Sequence, residues 1–218
     1  MSRVADPQVV TADRVARPGK RRRNSQDARK VILAAAQSVL VDNEGRLEMA
    51  QVAEAAGVSS GLAYHHFGSK EGLLAAVVNA FYDRVDQEVL LARIEGYANW
   101  EDRERARTEL YIGFLLSDPL GPLLVTSLAQ TPEVAAIDAA RWTSLIEVGA
   151  KNIAEGQRLG MVGASEAPSV LAAMVLGSVR SAVIQAMQKH RDAKQQITAE
   201  SLTLEIWAFQ KRALSLPS

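Results

Sequence analysis

The residue types and spacings that could do chemistry concentrate between residues 20 and 71, and the chemistry is that of holding a polyanion. Lys20-Arg21-Arg22-Arg23 is an unbroken block of cations able to pair with phosphates. Ser60 can donate or accept at a base edge or a phosphate, and Gly61, without a side chain, lets the backbone come close to a ligand. Leu62, if exposed, could pack on thymine methyl groups; a place in a local core is the alternative. His65-His66 raises the question of a metal, but neighbours on a helix point about 100° apart and share an ion poorly. With no Cys, one further histidine (His190) and no His-Glu-x-x-His or Glu-x-x-His spacing, no metal or cofactor site is expected. Paired carboxylates on one helix face, a nucleophile near a base and a phosphate-binding loop are not found, so no catalytic residues are assigned and an enzyme is not expected.

These residues are positioned by the stretch Ala50 to Glu71. Val52, Ala53 and Ala56 fall at helical spacing, and Gly57 suits the left-handed position that ends a helix. Ser59 then offers an N-cap to a brief helix over Ser59–His66. Gly68 stops it, and Ser69 caps a third helix with Glu71 in its first turn. Two short helices around a tight glycine turn make a helix-turn-helix, whose second helix enters the DNA major groove.

Val52-Ala53, Ala56-Gly57-Val58-Ser59 and Tyr64-His65-His66-Phe67-Gly68-Ser69-Lys70-Glu71 resemble, in order and spacing, the N-terminal domain of the TetR family of bacterial transcriptional regulators. The resemblance covers about residues 25–85. It implies that Tyr64, His65 and Lys70 contact phosphates, that the protein is a homodimer on a palindromic operator, and that the second domain encloses a small-molecule pocket. A repressor released by an effector is the family's default; an activator without ligand control, or a helical adaptor that happens to contain a helix-turn-helix, are the alternatives. Two positions depart from the family. Glu48 stands where a Thr commonly caps the helix and touches a phosphate, and Ala50 where a basic residue is common. Glu48 suits a helix N-terminus but repels a phosphate.

The formal net charge of the 218-residue chain is zero, yet residues 1–30 hold nine basic residues against three acidic ones, so the remainder is acidic by the same surplus. That polarity would orient the protein on DNA. Residues 1–24, with Pro7, Pro18 and Gly19, are expected to be a disordered basic arm, its basic run either a solvated tail or a clamp on phosphates; the run's place directly ahead of the first helix favours the clamp. Residues 25–85 form the DNA-binding domain, with the helix-turn-helix at about 48–67 and a first helix from Ser25 to Val41 closed by a left-handed Asn43. From Lys70 an apolar stripe runs past Val85, a rod reaching towards the second domain.

Residues 86–218 read as helices throughout, so the fold class is all-α. Pocket residues are expected among Trp100, Tyr111, Phe114, Trp142 and Met161, with Arg141 or Glu147 for polarity. The helix over about 168–190 is apolar nearly all round, and the last helix carries two stripes, Leu202-Ile206-Phe209 and Leu204-Trp207. A C2 homodimer built as a four-helix bundle is expected, with Met174, Gly177, Ser178, Ser181, Ile206 and Trp207 at its interface. No apolar run of membrane-span length and no secretion signal is read, which gives the expectation of a cytoplasmic, nucleoid-associated protein without membrane contact.

Overall fold

The computed structural model describes residues 18–92, 94–125, 128, 131–190 and 198–214, with 18–24, 125 and 189–190 described by backbone alone. The described residues form nine α-helices and no strand. They run α1 (Pro18–Asp42), α2 (Met49–Ala55), α3 (Ser60–Phe67), α4 (Lys70–Val85), α5 (Trp100–Ser117), α6 (Gly121–Val125), α7 (Pro132–Arg158), α8 (Pro168–His190) and α9 (Ala199–Ala213). A π-helical turn, Asp86–Leu90, extends α4.

The first helix begins earlier than its apolar pattern indicates. The backbone of Lys20–Arg23 belongs to the opening turns of α1, which corrects the expected break at residue 24; residues 1–17 of the expected arm lie outside the described residues. Pro18 suits a first turn, where its missing N–H would have no helical partner, and Lys and Arg are good helix formers. At the other end, the left-handed positions are Glu44 (φ 51°) and Gly45 (φ 92°) rather than Asn43. Asn43 instead donates its side-chain amide to Gln51 Oε1 at 2.9 Å, tying the end of α1 to α2.

The helix-turn-helix is closed by local chemistry. Gly57 takes φ +65°, a conformation costly for a residue with a Cβ. Ser59 Oγ accepts from the Leu62 N–H at 3.2 Å, and Ser69 Oγ accepts from the Gly72 N–H at 3.0 Å. Each hydroxyl satisfies one of the N–H groups that a helix start leaves without a partner. Ala63 is buried towards α1 and α2, with Ile32, Leu40, Val52 and Leu73. Burying side chains of this size stabilises the domain by about 1.5–3 kcal/mol each relative to exposure.

One hydrophobic core runs without a gap from Ile32 through Val77, Phe81 and Val89 to Ile112, Val183 and Ile206. The rod α4 is therefore shared by both halves. A second cluster, Trp100, Ile153, Val162, Leu171, Ala172 and Leu214, closes the far end of the bundle. There α7 passes so close to Trp100 that a Cβ at Gly156 would lie 2.8 Å from the indole ring.

Helix α8 corrects one reading: Pro168–Gln188 is long and apolar enough to cross a membrane, with a mean hydropathy of 1.7. Its setting is a helical bundle. Leu171, Ala172, Val179, Val183 and Ala186 are buried, and Arg180 in its middle pairs with Asp138 of α7 at 2.8 Å.

Candidate nucleic-acid interface and effector cavity

Helix α3 exposes Ser60, Gly61, Tyr64 and His65 along one side and turns Ala63 inward. Residues at these spacings occupy an arc of about 140° on a helix, which matches the half of a recognition helix that meets a groove. Leu62, His66 and Phe67 lie partly buried at its margins. Phe67 packs against the core beneath the Arg29 guanidinium, whose carbon is 4.5 Å from the ring centroid, and Arg29 also donates to the His66 carbonyl at 3.3 Å. Arg29 thus fixes the C-terminal end of α3, a role the sequence reading assigned to no residue; an arginine on the exposed side of α1 carries no pattern that would reveal it.

Lys70 is exposed at the head of α4, as its proposed role requires, but its ammonium is engaged: it donates to Glu48 Oε1 at 2.9 Å. The hydrogen bond to Glu48, and that carboxylate's charge, raise the Lys70 pKa above its ordinary value. Glu48, the N-cap of α2, makes no capping bond of its own. The side chains of Lys20, Arg21, Arg22 and Arg23 lie outside the described residues.

In the second half, α5, α7, α8 and α9 surround an apolar cavity of about 80 Å³. Leu145, Val148, Val175, Leu176 and Trp207 form much of its wall, and Glu104, Arg107 and Asn152 its polar corner. A smaller space of about 20 Å³ lies beside it between α4, α5, α7 and α8. Tyr111 and Leu145 line both. Burial pushes the Tyr111 phenol up to about 12. Tyr82, which donates to Asp138, is also raised, first by burial and then by that bond.

The expected pocket residues divide among four places. Trp100 and Tyr111 line the larger cavity. Arg141 and Trp142 border the smaller one. Phe114 faces an outer groove beside Tyr97 and Leu110, and Met161 an outer groove beside Leu159, because the turns that hold them lie on the outside of α5 and past the end of α7. Glu147 is exposed. Arg141 is a tie rather than a pocket donor: it bonds Asp83 at 2.6 Å, Asp86 at 2.9 Å and Asn79 at 3.1 Å. With Tyr82–Asp138–Arg180 and Arg84–Asp118, it clasps the C-terminal half of α4 to the cavity-bearing bundle. None of these ties shows in sequence, since their partners lie 34 to 62 residues apart.

Of the expected interface residues, Met174 and Ser181 are exposed and Gly177 and Ser178 partly so. Ile206 and Trp207 are not available: both are buried, and Trp207 lines the cavity. On α9 the outward residues are instead Leu204 and Phe209, each 52% exposed. The inward face is Leu202, Thr203, Ile206, Trp207 and Gln210. Gln210 anchors it by donating to the Val175 carbonyl and to Ser178 Oγ.

Fold and surface together define a helix-turn-helix module carried on an all-helical bundle. Residues 32–77 match the family model of bacterial regulatory proteins, tetR family, so this stretch is a DNA-binding domain of the tetR type. A transcriptional regulatory protein of the helix-turn-helix type, RaaS of Mycobacterium tuberculosis, is 32% identical over 117 residues, which cover 54% of this chain and 51% of that protein. The chain thus matches about half the length of this curated relative. Solved structures share the whole fold. A TetR-family transcriptional regulator from Rhodococcus sp. aligns over 87% of this chain and 99% of its own, with a TM-score of 0.66 and 22% identity. The fatty acid degradation regulator FadR of Bacillus halodurans aligns over 84% and 93%, with a TM-score of 0.70 and 17% identity. AibR, solved with isovaleryl coenzyme A and operator DNA, aligns over 84% and 97%, with a TM-score of 0.63 and 24% identity.

Proposed function

We propose that the protein is a non-enzymatic, DNA-binding transcriptional regulator: a homodimer that represses from a palindromic operator and is released by a small molecule. The observation that carries this reading is the exposed face of α3, Ser60-Gly61-Tyr64-His65, beside Lys70 at the head of α4. The opposite end of that same helix is clasped to a bundle with an apolar cavity. The DNA-binding unit spans residues 25–85, its reach extended by the helical basic run, and residues 86–218 serve effector binding and dimerisation. Ser60, Gly61 and Leu62 meet bases; Tyr64, His65, Lys70 and Lys20–Arg23 meet phosphates. Such a role places the protein on bacterial chromosomal DNA in the cytoplasm.

Dimerisation uses the outward faces of α8 and α9, with Val170, Met174, Gly177 and Ser181 from the first and Leu204 and Phe209 from the second. A Cβ at Gly177 would meet nothing within 4 Å, which leaves room for a partner helix. Two recognition helices about 34–36 Å apart then read half-sites one turn apart. An effector that shifts α4 changes this spacing, and a coupling of about 1–3 kcal/mol gives a 5–150-fold change in operator affinity.

The test is retention of a DNA fragment taken from upstream of the protein's own gene, with size-exclusion chromatography coupled to light scattering for the oligomer. Specific retention by a dimer is expected. A monomer, or retention no better than on unrelated DNA, contradicts the reading.

A further inference from the structure

Arg107 of α5 connects the larger cavity to the end of the rod. One terminal nitrogen of its guanidinium donates to the carbonyls of Val89 at 2.9 Å and Leu90 at 3.1 Å, the last residues of the π-helical turn that continues α4. Its Nε is buried and has no hydrogen-bond partner. The nearest carboxylate oxygen, Glu104 Oε2, stands 3.5 Å away, and that oxygen accepts from Asn152 Nδ2 at 3.2 Å. Glu104 Oε1 is engaged by Arg103 Nε at 3.1 Å, and Arg103 also binds Glu155 at 2.7 Å. Arg107 thus lines the cavity with a donor that is ion-paired to Glu104 but makes no hydrogen bond, and a buried hydrogen bond left unmade is costly. The surrounding charges, Arg103 and Arg107 against Glu104 and Glu155, balance.

Building on the proposed function, we infer that the effector is a neutral, mainly apolar molecule with one hydrogen-bond acceptor. This acceptor takes the Arg107 Nε–H and draws the guanidinium away from the Val89 and Leu90 carbonyls. An anion would enter a corner whose charges are already matched, beside the Glu104 carboxylate. A cation would find both Glu104 oxygens occupied. The acceptor accounts for recognition and the loosened π-helical turn for transmission, because that turn is the part of the rod bordering the cavity: Val89 and Leu90 both line it.

The experiment uses the full chain and three probes of matched length: 2-octanone, its isostere 2-methyl-1-octene, which lacks the acceptor, and octanoate. Binding is read from the fluorescence of Trp100 and Trp207, which line the cavity and are two of the three tryptophans. For the unaltered protein the ketone is expected to bind about tenfold more tightly than the alkene, as a hydrogen bond from a charged donor gives, and more tightly than octanoate. Ketone, but not alkene, should accelerate amide exchange over residues 86–92. In R107K, which keeps the charge and can still reach the carbonyls, and in R107M, the ketone preference should shrink to within about threefold. Circular dichroism checks that each variant folds, and R107K decides if R107M does not. Equal affinity for ketone and alkene, a preference retained in R107K, octanoate binding as tightly as ketone, or no probe entering the cavity would each overturn the inference. Retention of upstream DNA by the unaltered protein is measured alongside. If it holds while the probes fail, only the effector assignment falls; if it is absent, the proposed function falls whatever the probes do.

Discussion

Glu48 Oε1 accepts a hydrogen bond from Lys70 Nζ at 2.9 Å, joining the cap of α2 to the first residue of α4 across the helix-turn-helix. Both side chains are largely open to water, so the pair adds little to stability. On the proposed function its effect is on DNA binding: Glu48 holds the ammonium that a phosphate would need and would set a negative charge beside it. Replacing Glu48 by Gln should tighten DNA binding by about two- to fivefold, the range of an exposed ion pair. It should also steepen the salt dependence by about one phosphate contact, a slope change near 0.9. Anisotropy titrations at several salt concentrations check this; weaker binding by E48Q would show that the ion pair orders the domain rather than screens it.

The two faces of α9 should answer differently to substitution. Phe209→Glu, alone or with Met174→Glu, places charge on the outward face and should yield a folded monomer that loses operator binding. Trp207→Ala, on the inward face, should leave the dimer intact but lower stability by about 3–5 kcal/mol, as large-to-small changes in a core do. Light scattering and denaturant melts separate the outcomes.

Gly156→Ala tests the approach of α7 to Trp100. The new methyl would lie 2.8 Å from the indole carbons and from Val162 Cγ2, contacts that backbone or ring must yield to relieve. A loss of about 1–3 kcal/mol is expected, read as a lower denaturant midpoint, although alanine is the better helix former.

Alkaline pH should unfold the protein through its buried phenols. Tyr111 is raised to about 12 and Tyr82 is raised as well, whereas both titrate near about 10 in the unfolded chain. Between those values the native state holds more protons than the unfolded one, so stability is full below about pH 10 and declines as pH rises towards 12. Melting temperature against pH should show this fall, and Tyr111→Phe should lessen it.

The helix-turn-helix was legible because its determinants are local: Gly57 and Gly68 at positive φ, and Ser59 and Ser69 as caps, act within a few residues of themselves. The start of α1 was not, since Pro18-Gly19 and four cations look like a tail until helix propagation from residue 25 backwards is considered. The faces of α9 were ambiguous because it carries two apolar stripes, and only the packing of Gln210 on α8 decides between them. Pocket residues failed for a related reason. Aromatic type says that a side chain is large and apolar, but whether Phe114 faces a cavity or an outer groove depends on the crossing of α5 with distant helices. Arg107 and Arg141, whose hydrogen-bond partners lie 17 to 62 residues away, had no local signature for those bonds.

On the proposed function the exposed face of α3 reads DNA. The most direct measurement is a fluorescence anisotropy titration of a labelled fragment from upstream of the gene, from about 50 to about 200 mM KCl, with the unaltered protein and with Tyr64→Ala/His65→Ala. Saturable binding at two protomers per site, weakening steeply with salt, is expected, with a loss of about tenfold or more in the double variant. Equal binding by the double variant, or no preference over unrelated DNA of the same length, would contradict it.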